Sequence, residues 1–341
     1  MEEPFVSIII PVRNEIQYIS RCLQAVANQD YPVDRVEVLV ADGASDDGTT
    51  EFLHSWASQG SDRSVFLNPG RIVPTGLNIL IPRAKGEVII RVDGHCVIAP
   101  DYVSDCVCHL QGGEADGVGG PMCSIGEDII SQVTALAMSS KFGVGNSSFR
   151  TESGVTKYTD TVPFPAYTRK IIEKVGLYDE ELVRNQDDEY NYRIREAGGR
   201  ILLAEDAKSE YFSRGSLRKL WKQYFQYGYW KVRVLQKHPR QMSPRQFVPL
   251  GFVLGLILTS LLSLFTPWGW KTLIALVVVY LAANFTASLT TAWGKGCKKM
   301  ALLPLAFGII HLSYGLGFLA GLFKFRNRWR DKKGLVPDWQ P

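Results

Sequence analysis

Several features are missing from this chain of 341 residues. No G-x-G-x-x-G and no G-x-x-x-x-G-K-[ST] follows the first apolar run, which excludes the phosphate-cradling loops of dinucleotide-binding and P-loop proteins. The six cysteines lack the spacing of a disulfide framework and include no C-x-x-C pair, so they read as reduced, packed thiols. No basic stretch with an apolar run and cleavage signal opens the chain. Met1-Glu2-Glu3-Pro4 leads straight into Val6-Ser7-Ile8-Ile9-Ile10, and the N-terminal part is expected to stay in the cytoplasm. Charge is absent from three stretches of the last third: Phe247 to Thr266, Thr272 to Trp293 and Met300 to Phe323.

Each stretch is about the 20 residues that cross roughly 30 Å of hydrocarbon. The first two read as transmembrane helices. The third is interrupted by Pro304, Gly308, Gly315, Gly317 and Gly321 and carries His311, so it is either a span or a re-entrant segment. The net charge of +4 does not point to nucleic acid, because the basic residues form no stripe on a folded face. They bracket the apolar runs instead, with Lys231, Arg233, Lys237, Arg240 and Arg245 before, Lys295, Lys298 and Lys299 between, and Lys324, Arg326, Arg328, Arg330, Lys332 and Lys333 after. Such placement favours anionic head groups of a lipid bilayer. Leu217, Leu220, Trp221, Tyr224, Val232 and Leu235 recur at helical spacing among basic residues, so 216–237 is expected to form an amphipathic helix within an interfacial segment 213–245.

What is present before residue 100 is alternation. Strands are expected at 5–10, 36–41, 64–67 and 87–92, with helices at 15–28, 48–59 and 75–84, which predicts an α/β fold with a mainly parallel sheet. Ligands of such sheets bind beyond the carboxyl ends of the strands. Three loops at those ends carry suitable groups: Pro11-Val12-Arg13-Asn14-Glu15, Asp42 to Thr49, and Asp93-Gly94-His95. Each has a plain structural alternative, since Asn14 and Asp47 can cap helices and Asp93-Gly94 is a common turn dipeptide. Further on, Asn185-Gln186-Asp187-Asp188-Glu189 opens a helix that Gly198-Gly199 should end. Three consecutive acids exceed what helix capping requires, which marks one of them as a general base.

These motifs, in this order over residues 5 to about 235, resemble glycosyltransferase family 2 of the GT-A fold, and within it the membrane-attached exopolysaccharide enzymes of the succinoglycan type. The first loop is similar to the family's P-x-x-N-E, which implies that Pro11, Arg13 and Glu15 line a nucleoside pocket. Val40 to Thr49 resembles V-V-D-D-G-S-x-D-G-T, implying that Asp42 accepts from a uracil N3–H, while Gly43 stands where the family has a second Asp. Asn68-Pro69-Gly70-Arg71 with Gly76-Leu77-Asn78 resembles the next nucleotide-facing segment, which brings in Arg71 and Asn78. Asp93-Gly94-His95 falls where the family carries D-x-D. Asp93 would hold the nucleotide sugar's diphosphate through a divalent cation, Mn²⁺ or Mg²⁺, and His95 would either ligate that metal or hydrogen-bond the phosphates. The acidic motif implies Asp187 as the base, with Asp188 as the alternative. Gln226 and Trp230 match the acceptor-facing positions of Q-x-x-R-W, and Tyr229 in place of its Arg argues against processive synthesis.

The resemblance therefore implies a cytoplasmic catalytic domain over 1–212, the interfacial segment 213–245, a membrane region 246–323 and a basic tail 324–341 in the bacterial inner membrane. The implied reaction is inverting transfer of a sugar from a nucleotide donor, UDP-linked first of all, to a polyprenyl-linked saccharide. A processive synthase and a non-catalytic membrane-anchored nucleotide-binding protein are the competing readings.

Overall fold

The apolar run Val6–Val12 forms strand β1, buried along its whole length, as a strand covered on both faces of a parallel sheet must be. The computed structural model describes residues 3–152, 154–213 and 215–339, apart from the side chains of Cys297, Lys298 and Met300. Lys298, one of the basic residues between the apolar runs, thus lies outside the described side chains. Chain contacts divide the protein into two units, Met1–Cys123 with Glu152–Tyr211 and Gly334–Pro341, and Ser124–Thr151 with Phe212–Lys333.

In the first half of the chain, α1 (Ile19–Ala27), β2 (Val36–Asp42), α2 (Thr49–Ala57), β3 (Arg63–Leu67), α3 (Val73–Leu80), β4 (Val88–Arg91), β5 (Cys96–Ile98), α4 (Tyr102–Gln111), β6 (Gly117–Gly119) and β7 (Met122–Ile125) follow β1. The second unit then takes α5 (Ile129–Met138), α6 (Lys141–Val144) and α7 (Ser148–Thr151). The chain returns through β8 (Lys157–Tyr158), β9 (Ala166–Thr168), α8 (Arg169–Val175), α9 (Gln186–Glu196), β10 (Ile201–Leu203) and β11 (Ser209–Phe212). The remaining helices are α10 (Leu217–Lys237), α11 (Val248–Ser263), α12 (Pro267–Ala292) and α13 (Cys297–Lys324).

The main sheet has the order β3-β2-β1-β4-β9-β6-β10-β8. β1 pairs in parallel with β2 and β4, β2 with β3, and β6 with β10. β9 runs antiparallel to β4 and β6, and β8 to β10, while β5 pairs antiparallel with β11 in a smaller sheet. The core is made by Ile8, Ile10, Val40 and Ile90 from the strands and by Ile19, Leu23, Leu53, Leu77 and Leu80 from the helices, all nearly or fully buried. Because β2 and β4 flank β1 on opposite sides, the chain order reverses at β1, and the crevice beyond the carboxyl ends of β1 and β4 is the place where such sheets bind ligands.

In the second unit, α13 is one continuous helix through Pro304. Three of its glycines, Gly315, Gly317 and Gly321, are points of close approach rather than breaks. A methyl group on Gly315 would meet the Pro249 carbonyl oxygen at 2.4 Å, and one on Gly317 the Phe225 carbonyl oxygen at 2.0 Å. The second half of α10 also differs from a helix laid on head groups. Lys231, Arg233 and Lys237 are buried with Val232 and Val234. Arg233 Nη1 donates to Gln236 Oε1 at 2.6 Å and to the Arg328 carbonyl at 3.4 Å. Three of the charges expected to meet lipid are thus buried inside the protein, and for Arg233 hydrogen bonds offset the cost of removal from water. Only the first turns keep Arg218, Lys219, Trp221 and Lys222 exposed.

Candidate active site

The loops after β1 and β2 are closed on each other by side chains bonding to backbone. Asn14 adopts a left-handed backbone, φ 56°, its N–H donates to Ser45 Oγ at 2.8 Å, and its amide exchanges hydrogen bonds with Asp46, Nδ2 to Oδ1 at 2.8 Å and Asp46 N–H to Oδ1 at 3.0 Å. Glu15 N–H donates to Thr49 Oγ1 at 3.0 Å and Ile16 N–H to Asp47 Oδ2 at 3.2 Å. Residues 14–18 thus serve the loop, and α1 begins at Ile19 rather than at 15. Burial works against ionised Asp47, but hydrogen bonds from the Thr49 hydroxyl and from backbone N–H groups outweigh it and hold its carboxyl below the usual range.

Asp42 is buried, and both of its oxygens already accept, Oδ1 from Ser45 Oγ and Oδ2 from Thr50 Oγ1, each at 2.6 Å. It organises this loop from beneath. Gly43 has its reason here too, since a Cβ at that position would meet Arg13 Cβ at 3.1 Å and the Val12 carbonyl at 3.2 Å. Pro11 is buried and Arg13 exposed. Arg71 is exposed with a left-handed backbone, φ 58°. Asn78, expected to face a nucleotide, has its amide committed within the fold: Nδ2 donates to the Tyr178 carbonyl at 2.9 Å and to Glu180 Oε1 at 3.0 Å, and Tyr178 N–H donates to Oδ1 at 2.8 Å. It tethers the segment leading into α9.

The central feature is Arg91, the last residue of β4, which sequence reasoning did not single out. Buried at 5% exposure, it donates from Nη2 to Asp93 Oδ1 at 2.8 Å and from Nη1 to Asp187 Oδ1. One guanidinium thereby joins the strand-end acid to the acid in the first turn of α9. The two carboxyl groups respond oppositely. Burial pushes Asp187 above the ordinary carboxylate range, with Asp93 and Asp188 adding to the push against the pull of Arg91. Burial opposes ionisation of Asp93 as well, but Arg91, with His95 and Arg184, holds it below that range. Two acids whose surroundings drive them apart are what acid–base chemistry uses.

Of the neighbouring acids, Glu189 is structural, its oxygens accepting from Arg193 Nε at 2.8 Å and Nη2 at 3.1 Å, and Asp188 is half-buried beside Asp187. His95 Nδ1 lies 3.0 Å from Glu15 Oε1, and its ring packs edge-on against Tyr211 at 4.9 Å. Arg91 Nε and Gln186 Oε1 are buried and have no hydrogen-bond partner among the described residues, an arrangement that leaves polar atoms for a ligand. Among the described residues no three His, Cys, Asp or Glu side chains are grouped to hold a metal ion. Gln226 and Trp230 belong to the second unit, where Trp230 packs on Tyr229 and Phe325, with ring centroids 5.4 and 5.7 Å away.

Residues 7–176 match the family described as Glycosyl transferase family 2. Over 324 residues the chain is 30% identical to the succinoglycan biosynthesis protein ExoA of Rhizobium meliloti, covering 94% of this chain and 96% of that protein. The chain belongs to glycosyltransferase family 2. This glycosyltransferase is also 26% identical over 331 residues to a Methanococcus voltae enzyme named dolichyl N-acetyl-alpha-D-glucosaminyl phosphate 3-beta-D-2,3-diacetamido-2,3-dideoxy-beta-D-glucuronosyltransferase, covering 94% of this chain and 98% of that one. Among solved structures it is similar to the mannosyltransferase PcManGT of Pyrobaculum calidifontis in complex with GDP-Man and Mn²⁺, with a TM-score of 0.58 at 21% identity over 95% of this chain and 88% of that one. It is also similar to S. aureus TarS 1-349 in complex with UDP-GlcNAc, with a TM-score of 0.51 at 16% identity over 98% of both chains. At these identities the likeness is one of fold, and the fold of the glycosyltransferase is GT-A.

Proposed function

We propose that the protein transfers a sugar from a nucleoside diphosphate donor to a lipid-linked saccharide at a membrane, with inversion at the anomeric carbon and Asp187 as the base. The observation that carries this reading is the Arg91 bridge between Asp93 and Asp187, at the strand ends where this fold binds ligands. Asp187, with its raised pKa, accepts the proton of the acceptor hydroxyl as that oxygen attacks. Arg91 holds the base at a fixed distance from the donor side. One base and one direct displacement give inversion. Arg13 and Arg71 are exposed beside the loops where the donor would lie and supply positive charge toward it.

Asp93 and His95 fit a divalent cation of the kind that takes one or two protein ligands and completes its shell with phosphate oxygens. Asp93 gives only Oδ1 to Arg91, and His95 would either ligate the cation or hydrogen-bond the phosphates. When bound, the cation would neutralise charge on the departing diphosphate.

A membrane acceptor is supported by three helices long and apolar enough to cross a bilayer, and by the dolichyl phosphate-linked substrate named for the Methanococcus relative. The test is a panel of radiolabelled nucleotide sugars incubated with enzyme and the membrane lipids of the producing cells. Label from one donor should enter the organic phase and be released by mild acid. Label confined to the aqueous phase for every donor would overturn the lipid acceptor.

A further inference from the structure

The three apolar helices are alike in composition and different in surroundings. In the most apolar stretch of each, 6% is buried for the helix ending at Ser263, 11% for α12 and 44% for α13. The α11–α12 pair leaves Leu258, Leu261, Phe265, Ile274, Val278 and Phe285 exposed. At the turn between them stand exposed Trp268 and Trp270, with Lys271 Nζ 4.7 Å over the Trp268 ring, the tryptophan and cation pairing found where a span reaches an interface.

α13 lies against α10 instead. A methyl group on Gly228 would meet the Tyr314 carbonyl oxygen at 2.0 Å and one on Gly321 the Tyr229 carbonyl oxygen at 2.5 Å. Gln236 Nε2 donates to the Phe325 carbonyl at 2.8 Å. Positions 228, 229 and 236 rise with 314, 321 and 325, so the two helices run in the same direction with their backbones close. Taking the second half of α13 into hydrocarbon would take α10 along, and α10 carries Arg218, Lys219 and Lys222 exposed in its first turns. Exposed charges are excluded from hydrocarbon.

The end of the chain supplies an independent constraint. Leu335 N–H donates to Asp179 Oδ1 at 2.8 Å, and Glu180 N–H donates to the Leu335 carbonyl at 2.9 Å. A methyl group on Gly334 would meet Asp179 Oδ2 at 2.3 Å, so the two segments approach closely here. These contacts lie within the unit that holds Asp93 and Asp187, which the chain leaves after Tyr211 and re-enters at Gly334. Both ends of the excursion are then on one side of the bilayer. The number of crossings between them is even, and three is odd.

We propose that the α11–α12 hairpin is the part of the chain that crosses the bilayer and that α13 returns along α10 without crossing, which brings residues 334–339 back to the catalytic side. This rests on the membrane reading above but not on the transfer chemistry. The test uses the full chain with a protease-cleavable tag at each terminus, and a third version tagged after Phe265, in spheroplasts and in inverted vesicles. Both terminal tags should be lost only in inverted vesicles, and the tag at 265 only in spheroplasts. A C-terminal tag cleaved in spheroplasts would establish an odd number of crossings and overturn the proposal. So would a tag at 265 cleaved from the same side as the termini, or from neither. Because an insertion could disturb the turn, labelling of Phe265→Cys by an impermeant maleimide repeats that reading with one side chain changed. Chain recovered in the soluble fraction would remove the membrane reading itself, whether or not sugar transfer is observed.

Discussion

Arg91 sets the relation between the two acids. A lysine there keeps a positive charge but lacks the rigid planar fork that reaches Asp93 from one nitrogen and Asp187 from another. Arg91→Lys is therefore expected to lower kcat and to move the acidic limb of the pH–rate profile upward, because the arginine favours the ionised form of Asp187. In the unaltered enzyme that limb is expected above the ordinary carboxylate value of about 4, since activity should fall as falling pH protonates a base whose pKa burial raises. A profile unchanged by Arg91→Lys would remove the arginine from the base's environment. Asp93 carries a separate expectation: Asp93→Ala weakens nucleotide binding, and a chelator stops transfer that Mn²⁺ or Mg²⁺ restores. Full turnover in chelator would take the cation out of the scheme. Arg91 was hidden in the sequence because it ends an apolar run, Val88-Ile89-Ile90, where a single charge reads as the edge of a strand. The clue was its place two residues before Asp93. Asp42 and Asn78 were legible as site residues by motif, but their bonds to Ser45 and Thr50 and to Tyr178 were not, because those partners are set by how the loops fold.

At the scale of elements, the alternating strands and helices before residue 100 were readable because apolar runs of two lengths alternate there, and the observed elements begin and end within a few residues of those expected. The exceptions are the end of α3, which gives way to a 3-10 turn after Leu80, and the start of α1. Asn14, Glu15 and Ile16 have their N–H groups bound by Ser45, Thr49 and Asp47, so a long-range loop contact displaced a local helix start. The loops are expected to loosen when that latch is cut. Asn14→Ala removes both hydrogen bonds to Asp46 and leaves a non-glycine residue with a left-handed backbone, which should cost about 1–3 kcal/mol in denaturant unfolding and raise the donor KM. A variant as stable as the parent would mean that the loops are held by other contacts. The glycines of α13 were read as interruptions because glycine weakens isolated helices. Packing against the carbonyls of Pro249, Phe225 and Tyr229 gives Gly315, Gly317 and Gly321 the opposite role.

The whole molecule was the least legible scale. Hydropathy separates a polar front from an apolar back, but the two units are interleaved in sequence, with 124–151 grouped with the apolar helices and 334–341 with the sheet. Neither short segment has a composition that announces this, and only long-range contacts such as His311 Nε2 with the Phe142 carbonyl at 2.8 Å, or Leu335 with Asp179, reveal it. Binding of the donor and transfer to an acceptor are separate acts of the whole protein, and Asp187 belongs to the second. The measurement that bears most directly on the proposed mechanism is turnover and donor affinity of Asp187→Asn beside Asp188→Asn in native membranes. Asp187→Asn should lose roughly 10²–10⁴-fold in kcat, the usual contribution of a general base, while donor affinity stays within about threefold and Asp188→Asn retains most of its turnover. Near-parental turnover in Asp187→Asn, with the loss falling on Asp188→Asn, would contradict it.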